Sequence, residues 1–232
     1  MDFVRTIEDI RADGCVPIER AVRLRLVSVA HLHARHDTPT LRRVMSEADT
    51  RSDDALIAAI NKGGTPGEAA FATLYHRHKD WAVSVARRFT RDEALALDAM
   101  QEAFVYVIRK TPGLRLTCRF RTFLYPAIRN CAIAIARKHQ REAPPATADG
   151  DFAAGILATT VDELARTGMR DEVATAVASL DDAHREVLIM RIVDELSVEE
   201  VALALGVPAG TIKSRLHHAV RRLRDAMERE AR

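Results

Sequence analysis

Apolar positions along this chain recur mainly at three- and four-residue spacing, and period-two alternation is scarce. That rhythm predicts an all-α fold, with two small helical domains joined by a flexible linker and the C-terminal one a helix-turn-helix. Near the C-terminus, Ile212, Leu216, Val220, Leu223 and Met227 fall on one stripe at about 100° per residue. Ser214, His217, His218 and Arg221 then point the other way, and Lys213, Arg215, Arg222 and Arg224 take the flanks. Just upstream, Ser197 and Glu200 stand at capping-box spacing, which predicts a helix start. Val201, Ala204 and Leu205 supply its apolar face, Gly206 suits a left-handed terminus, and Pro208 suits the first turn of the next helix. A preceding helix carries Leu188, Ile189, Ile192 and Val193, with Asp181 or Asp182 as its cap. Three helices sharing one core follow.

The first half has the same grammar. Leu97, Met100, Phe104, Val107 and Ile108 form a core stripe, while Asp98, Glu102 and Arg109 project elsewhere. Asp98 and Glu102 are like charges at i,i+4, an arrangement that suits either an oppositely charged partner or a solvated acidic face. Further on, Leu124, Ile128 and Ile135 point inward, and Arg129, Asn130 and Arg137 gather within an arc of about 100°, which Ile133 shares. Pro126 predicts a kink or a later helix start there. Phe120, Phe123 and Tyr125 could offer faces to unstacked bases, but core packing is expected for at least two of them.

Breaks in the pattern divide the chain. Residues 61–68 (NKGGTPGE) read as a loop between two helices, residues 111–118 (TPGLRLTC) as a longer interruption, and residues 142–151 (EAPPATADGD) as the core of a linker. The expected organisation is an extension of unknown role over 1–44, a helical domain over 45–142, a linker over 143–170 and a helix-turn-helix domain over 171–232.

With 47% hydrophobic residues the chain can fill a sizeable core. No run of about 18 apolar residues exists, and the N-terminus lacks a secretory pattern, so a cytoplasmic protein is expected. Cys15, Cys118 and Cys131 are widely spaced and read as ordinary thiols. The clusters around His33 and His36 and around His76 and His78 lack the carboxylate and His spacing of a metal site, so no metal and no cofactor is expected. The net charge is only +2, yet residues 208–232 hold seven Lys/Arg against three Asp/Glu. A basic, outward-facing second helix points to DNA, with polar tips toward base edges and cations toward phosphates. A solvated basic face is the other reading.

The segment from Leu180 to Arg224 resembles region 4 of the extracytoplasmic-function (ECF) sigma factors, and the stretch around Asp98, Gln101, Glu102 and Phe104 resembles their region 2.2. Phe120, Arg121, Phe123, Leu124 and Tyr125, followed by Arg129, Asn130 and a basic end, resemble regions 2.3 to 2.4. Within this resemblance Pro126 stands where a basic residue is usual, Ala134 replaces a common Asp, and Ile108 takes a frequent Trp position. The resemblance implies a non-enzymatic initiation subunit that binds core RNA polymerase through the β′ clamp helices and the β flap. It assigns Asp98, Gln101 and Glu102 to polymerase docking, and Arg121, Phe123, Arg129, Asn130 and Arg137 to the minus 10 element. Lys213, Ser214, Arg215, His217, His218 and Arg221 would meet the minus 35 element. Promoter DNA is the second partner and an anti-sigma factor a candidate third. A stand-alone helix-turn-helix regulator is the competing class. Residues from Met45 onward look like a usual start for the family, which leaves the upstream segment as a misplaced start or a regulatory arm.

Overall fold

The computed structural model describes residues 49–142, 173, 176–177 and 179–230. The N-terminal extension, the whole linker over 143–170, Cys15, His33 and His36 lie outside them. The described residues form seven α-helices: α1 (Asp53–Lys62), α2 (Gly64–Thr90), α3 (Glu93–Lys110), α4 (Phe120–Glu142), α5 (Asp182–Ile192), α6 (Val198–Leu205) and α7 (Ala209–Glu230). The first four make one bundle and the last three a second unit.

Local chemistry sets the helix ends. Ser52 caps α1 by accepting from the Ala55 N–H, and Asp53 and Asp54 place negative charge on its first turn. The loop expected over 61–68 shrinks to a single residue between helices. Gly63, at φ 72° and ψ −164°, reverses the chain in a conformation that L side chains rarely adopt, and α2 starts at the next residue. Asp92 caps α3 by accepting from the Leu95 N–H. The interruption over 111–118 is present, and Asn61 holds it at two points. Its Nδ2 donates to the Leu114 carbonyl at 2.8 Å, and its Oδ1 accepts from the Gly113 N–H at 3.0 Å.

α4 runs unbroken from Phe120 with Pro126 inside it, so the later start expected from that proline does not occur. Pro126 is buried and lacks the N–H that would reach the Thr122 carbonyl, and packing on both sides of the break holds the helix together. Leu124 and Ile128 are fully buried, as are Leu74 on α2 and Leu56 on α1. Each such burial contributes about 1.5–3 kcal/mol. All three aromatic residues Phe120, Phe123 and Tyr125 are core residues.

In the second unit Asp181 is the cap of α5, accepting from the His184 N–H. Ser197 and Glu200 form the expected capping box, and Gly206 closes α6 in the left-handed region at φ 66°. Pro208 sits one residue before α7 rather than in its first turn, and its carbonyl accepts from the Thr211 and Ile212 N–H groups. The packed stripe of α7 also differs from expectation. Ile212 and Ala219 are fully buried and Leu216 and Leu223 half-buried, whereas Val220 is 47% exposed. On α5, Leu188 and Ile189 are buried but Ile192 is 48% exposed.

The two units do not stand apart. Val187, Met190, Leu196, Val201 and Ile212 belong to the same buried apolar cluster as Leu74, Phe104 and Tyr125, and α6 packs on α4.

Candidate nucleic-acid and polymerase interfaces

On α7 the buried stripe fixes what faces outward. Lys213, Ser214, His217, His218 and Arg221 are exposed and Arg215 is half-buried. The structure therefore brings all six candidate residues to one helix surface, with Arg215 at its edge. Behind them, Asp181 ties α5 to α7: it accepts from Arg222 Nη1 at 2.9 Å and from His184 Nδ1 at 2.6 Å. These contacts hold the Asp181 carboxyl below its usual range, the His184 hydrogen bond contributing most. The His218 ring meets His184 and His217 edge-on at 6.0 and 5.6 Å. Three imidazoles thus line the start of the basic surface.

The α4 candidates are less uniform. Arg137 is exposed and Asn130 half-buried. Phe123 is only 9% exposed and stacks on Tyr106 at 6.2 Å, so its ring is spent on the core in this arrangement. Arg121 lies over the Trp81 ring, 5.2 Å from its centroid, which is cation–π geometry. Arg129 donates from Nε to Glu186 Oε1 at 2.7 Å and covers the Phe89 ring at 5.7 Å. Burial works to lower the Arg129 pKa, but the Glu186 charge and hydrogen bond outweigh it and raise it. Tyr125 donates to the same Glu186 oxygen at 3.1 Å, and its complete burial pushes its phenol well above the ordinary value.

Sequence reasoning missed the group at the centre of this region. Asp194, in the turn between α5 and α6, accepts from Arg88 Nη1 at 2.8 Å, from Arg88 Nη2 at 3.0 Å and from Trp81 Nε1 at 2.8 Å. Neither charged side chain is more than 5% exposed. Glu200, besides capping α6, reaches Arg119 Nε at 3.3 Å and accepts from Thr122 Oγ1 at 3.4 Å. Burial would raise the Glu200 pKa, but the hydrogen bonds from Ser197 prevail, so it is lowered. Nothing local in the sequence marks these pairs, because the partners lie 57 to 113 residues apart. The chain's lone Trp was the one available hint.

On α3, Asp98 and Gln101 are exposed and Glu102 half-buried on the same surface. Burial raises the Glu102 pKa, Arg109 opposes the shift, and the Asp98 charge adds to it. An exposed acidic strip of this kind suits a cationic protein surface. Elsewhere, His78 pairs through Nε2 with Asp53 at 2.9 Å, and Cys118 and Cys131 are half-buried thiols that form no disulfide among the described residues. Burial beside Glu200 pushes the Cys118 thiol up to about 11. Among the described residues no group of three or more His, Cys, Asp or Glu could hold a metal ion, and no helix is long and apolar enough to cross a membrane.

Comparison with known proteins gives this geometry a context. The family description Sigma-70 region 2 matches residues 74–142, and Sigma-70 region 4 matches residues 176–225. The ECF RNA polymerase sigma factor SigL of Mycobacterium tuberculosis is 33% identical over 165 residues, covering 70% of this chain and 92% of SigL. SigW of Bacillus subtilis is 27% identical over 179 residues, covering 72% of this chain and 92% of SigW. The ECF sigma-E factor of Escherichia coli is 27% identical over 183 residues, covering 75% and 93%. A solved chain described as CnrH in complex with the cytosolic domain of CnrY has the same fold, with a TM-score of 0.53 at 24% identity, over 78% of this chain and 98% of that one.

Proposed function

The chain belongs to the ECF family of RNA polymerase sigma factors, which direct core polymerase to promoters, and we propose how its residues divide that work. The domain over 45–142 acts as region 2 and the domain over 171–232 as region 4. The α7 surface reads the minus 35 element, Ser214, His217 and His218 reaching base edges while Lys213, Arg215 and Arg221 hold phosphates. The observation that carries this assignment is the exposure of Lys213, Ser214, His217, His218 and Arg221, with Arg215 half-buried at their edge, opposite a buried Ile212 and Ala219.

At the minus 10 element, Arg121, Arg129, Asn130 and Arg137 form the candidate backbone track for a captured single strand. Phe123 joins them only if its ring leaves Tyr106. Asp98, Gln101 and Glu102 dock on the β′ clamp helices, and the second unit meets the β flap. Polymerase supplies the catalytic site, so the chain needs no catalytic residue or cofactor of its own. A polymerase partner in turn supports a cytoplasmic location. Binding of CnrH by a cytosolic protein domain supports an anti-sigma factor as a further partner here.

Run-off transcription by purified core polymerase with the full chain on genomic DNA tests the function. Discrete transcripts with common upstream elements are expected. A stand-alone regulator would bind DNA yet leave core polymerase without promoter-specific products.

A further inference from the structure

We propose that His184, on α5, is a positioning residue for the minus 35 contact: held by Asp181, its ring sets the angle at which His218 meets a base edge. A residue outside α7 thereby tunes which base is preferred. The inference rests on the reading of α7 as the minus 35 surface.

The side chains involved form a closed circuit that begins and ends on α7. Arg222 Nη1 donates to Asp181 Oδ2 at 2.9 Å. Asp181 accepts from His184 at two places, from its backbone N–H at 3.2 Å and from its ring Nδ1, which lies 2.6 and 2.7 Å from the two carboxylate oxygens. The His184 ring then meets the His218 ring at 82°, with centroids 6.0 Å apart. His218 and Arg222 stand at i,i+4, one turn apart on the same face of α7. His218 is therefore braced from the neighbouring helix through two contacts on one side of α7.

The partners settle where the hydrogens lie. The Asp181 carboxyl is held below its usual range, its hydrogen bond with His184 contributing most, so it is an anion that can only accept. His184 Nδ1 must then carry a hydrogen, and the ring is anchored in one orientation. Asp181 and Arg222 are the charged members of the circuit, and His217 is the other titratable ring against His218, at 5.6 Å.

Burial assigns the roles. His184 is half-buried, whereas His217 and His218 are exposed. An exposed imidazole can turn about its side-chain bonds, and a neutral ring offers a donor on one nitrogen and an acceptor on the other. Free to turn, it presents either nitrogen to a base edge and discriminates little. An edge-on neighbour that is itself anchored restricts it, so the ordering is in place before DNA arrives. Replacing His184 therefore relaxes the choice of base at the position that His218 reads, and leaves the phosphate contacts of Lys213, Arg215 and Arg221 in place.

The experiment uses full-length wild type, His184→Ala, His184→Asn, His218→Ala and the double variant His184→Ala with His218→Ala. Each is mixed with a pool of short duplexes of randomised sequence, and the bound fraction is sequenced. His218→Ala should flatten the preference at one base position by about tenfold. His184→Ala should flatten that same position by about threefold to fivefold, without a parallel loss on a scrambled duplex. In the double variant the change at His184 should add nothing, because the ring it positions is gone. His184→Asn keeps a donor for Asp181 but no ring, and should behave as His184→Ala does; it carries the test alone if His184→Ala fails to fold. Recovery of the wild-type preference by His184→Asn would overturn the proposal, as would additive effects in the double variant or an equal loss on every duplex, the mark of a merely structural contact between α5 and α7. If His218→Ala leaves every preference unchanged, the α7 reading falls and this inference with it. A changed preference for His218→Ala beside an unaltered one for both His184 variants removes only the positioning role.

Discussion

Ser197 and Glu200 satisfy each other across the first turn of α6: the Ser197 hydroxyl accepts from the Glu200 N–H at 3.1 Å, and the Glu200 carboxylate accepts from the Ser197 N–H at 2.8 Å. The box fixes the start of α6, and Gly206 at its other end turns the chain toward α7. Ser197→Ala removes the hydroxyl half and should cost about 1 kcal/mol of stability. Ser197→Asp, which restores a capping oxygen, should recover most of it. Urea unfolding of both variants measures the difference, and equal losses in both would mean that the hydroxyl matters for something other than capping.

The α7 assignment separates anchoring from reading. Lys213→Ala should weaken binding to all duplexes and lower the slope of log affinity against log salt by about one, since one phosphate contact releases about one counterion. His218→Ala should change which sequence is preferred, a base contact being worth about 1–3 kcal/mol of discrimination. Salt-titrated binding of the full chain to a promoter and to a scrambled duplex compares the two. Equal losses on both duplexes from both substitutions would dissolve the division of roles.

Charge reversal at the acidic strip of α3, Asp98→Lys with Glu102→Lys, should weaken association with core polymerase by about tenfold or more while circular dichroism stays unchanged. The same variant should keep its affinity for duplex DNA, because α7 is untouched. Full polymerase affinity in the double variant would move the docking surface elsewhere.

His78 makes acid stability measurable. Burial lowers its pKa below the usual 6.5, with Asp53 pulling the other way and Arg121 and Arg77 assisting the fall. Its Nδ1 is buried without a hydrogen-bond partner, so a proton arriving there would be a stranded donor. The unfolded chain therefore takes up a proton before the folded one does, and stability falls as pH drops from about 6.5 toward the folded value. His78→Gln, which keeps a donor near the Nε2 position, should flatten the stability profile between about pH 6.5 and pH 5, above the range where carboxylates titrate. Thermal unfolding across that window reads it. An acid limb as steep as wild type would assign the loss to other groups.

What could be read from the sequence was whatever chemistry closes over a few residues. The capping box at Ser197 and Glu200, the left-handed Gly206 and the stripe through Met100, Phe104 and Val107 all rest on local backbone rules, and the structure carries each of them. Val220 went astray because it lies roughly 80° around the helix from Ile212 at ~100° per residue, while small Ala219 sits closer to the stripe and buries fully. The one-residue reversal at Gly63 was hidden inside a Gly- and Pro-rich run that reads equally well as a long loop. The carboxylate contacts between units had no local signature at all. Asp194 meets Arg88 from 106 residues away, and a single sequence carries no covariation to pair them.

Asn61 gives the first bundle a mechanical character. By gripping Gly113 and Leu114 with both ends of one amide, it pins the connection between α3 and α4 to the end of α1 at its midpoint. A crank with a fixed bearing cannot let one arm swing while the other rests. Under the roles proposed above, a push on the acidic strip of α3 would pass through this tether toward α4, so that polymerase docking and strand capture would share one braced element.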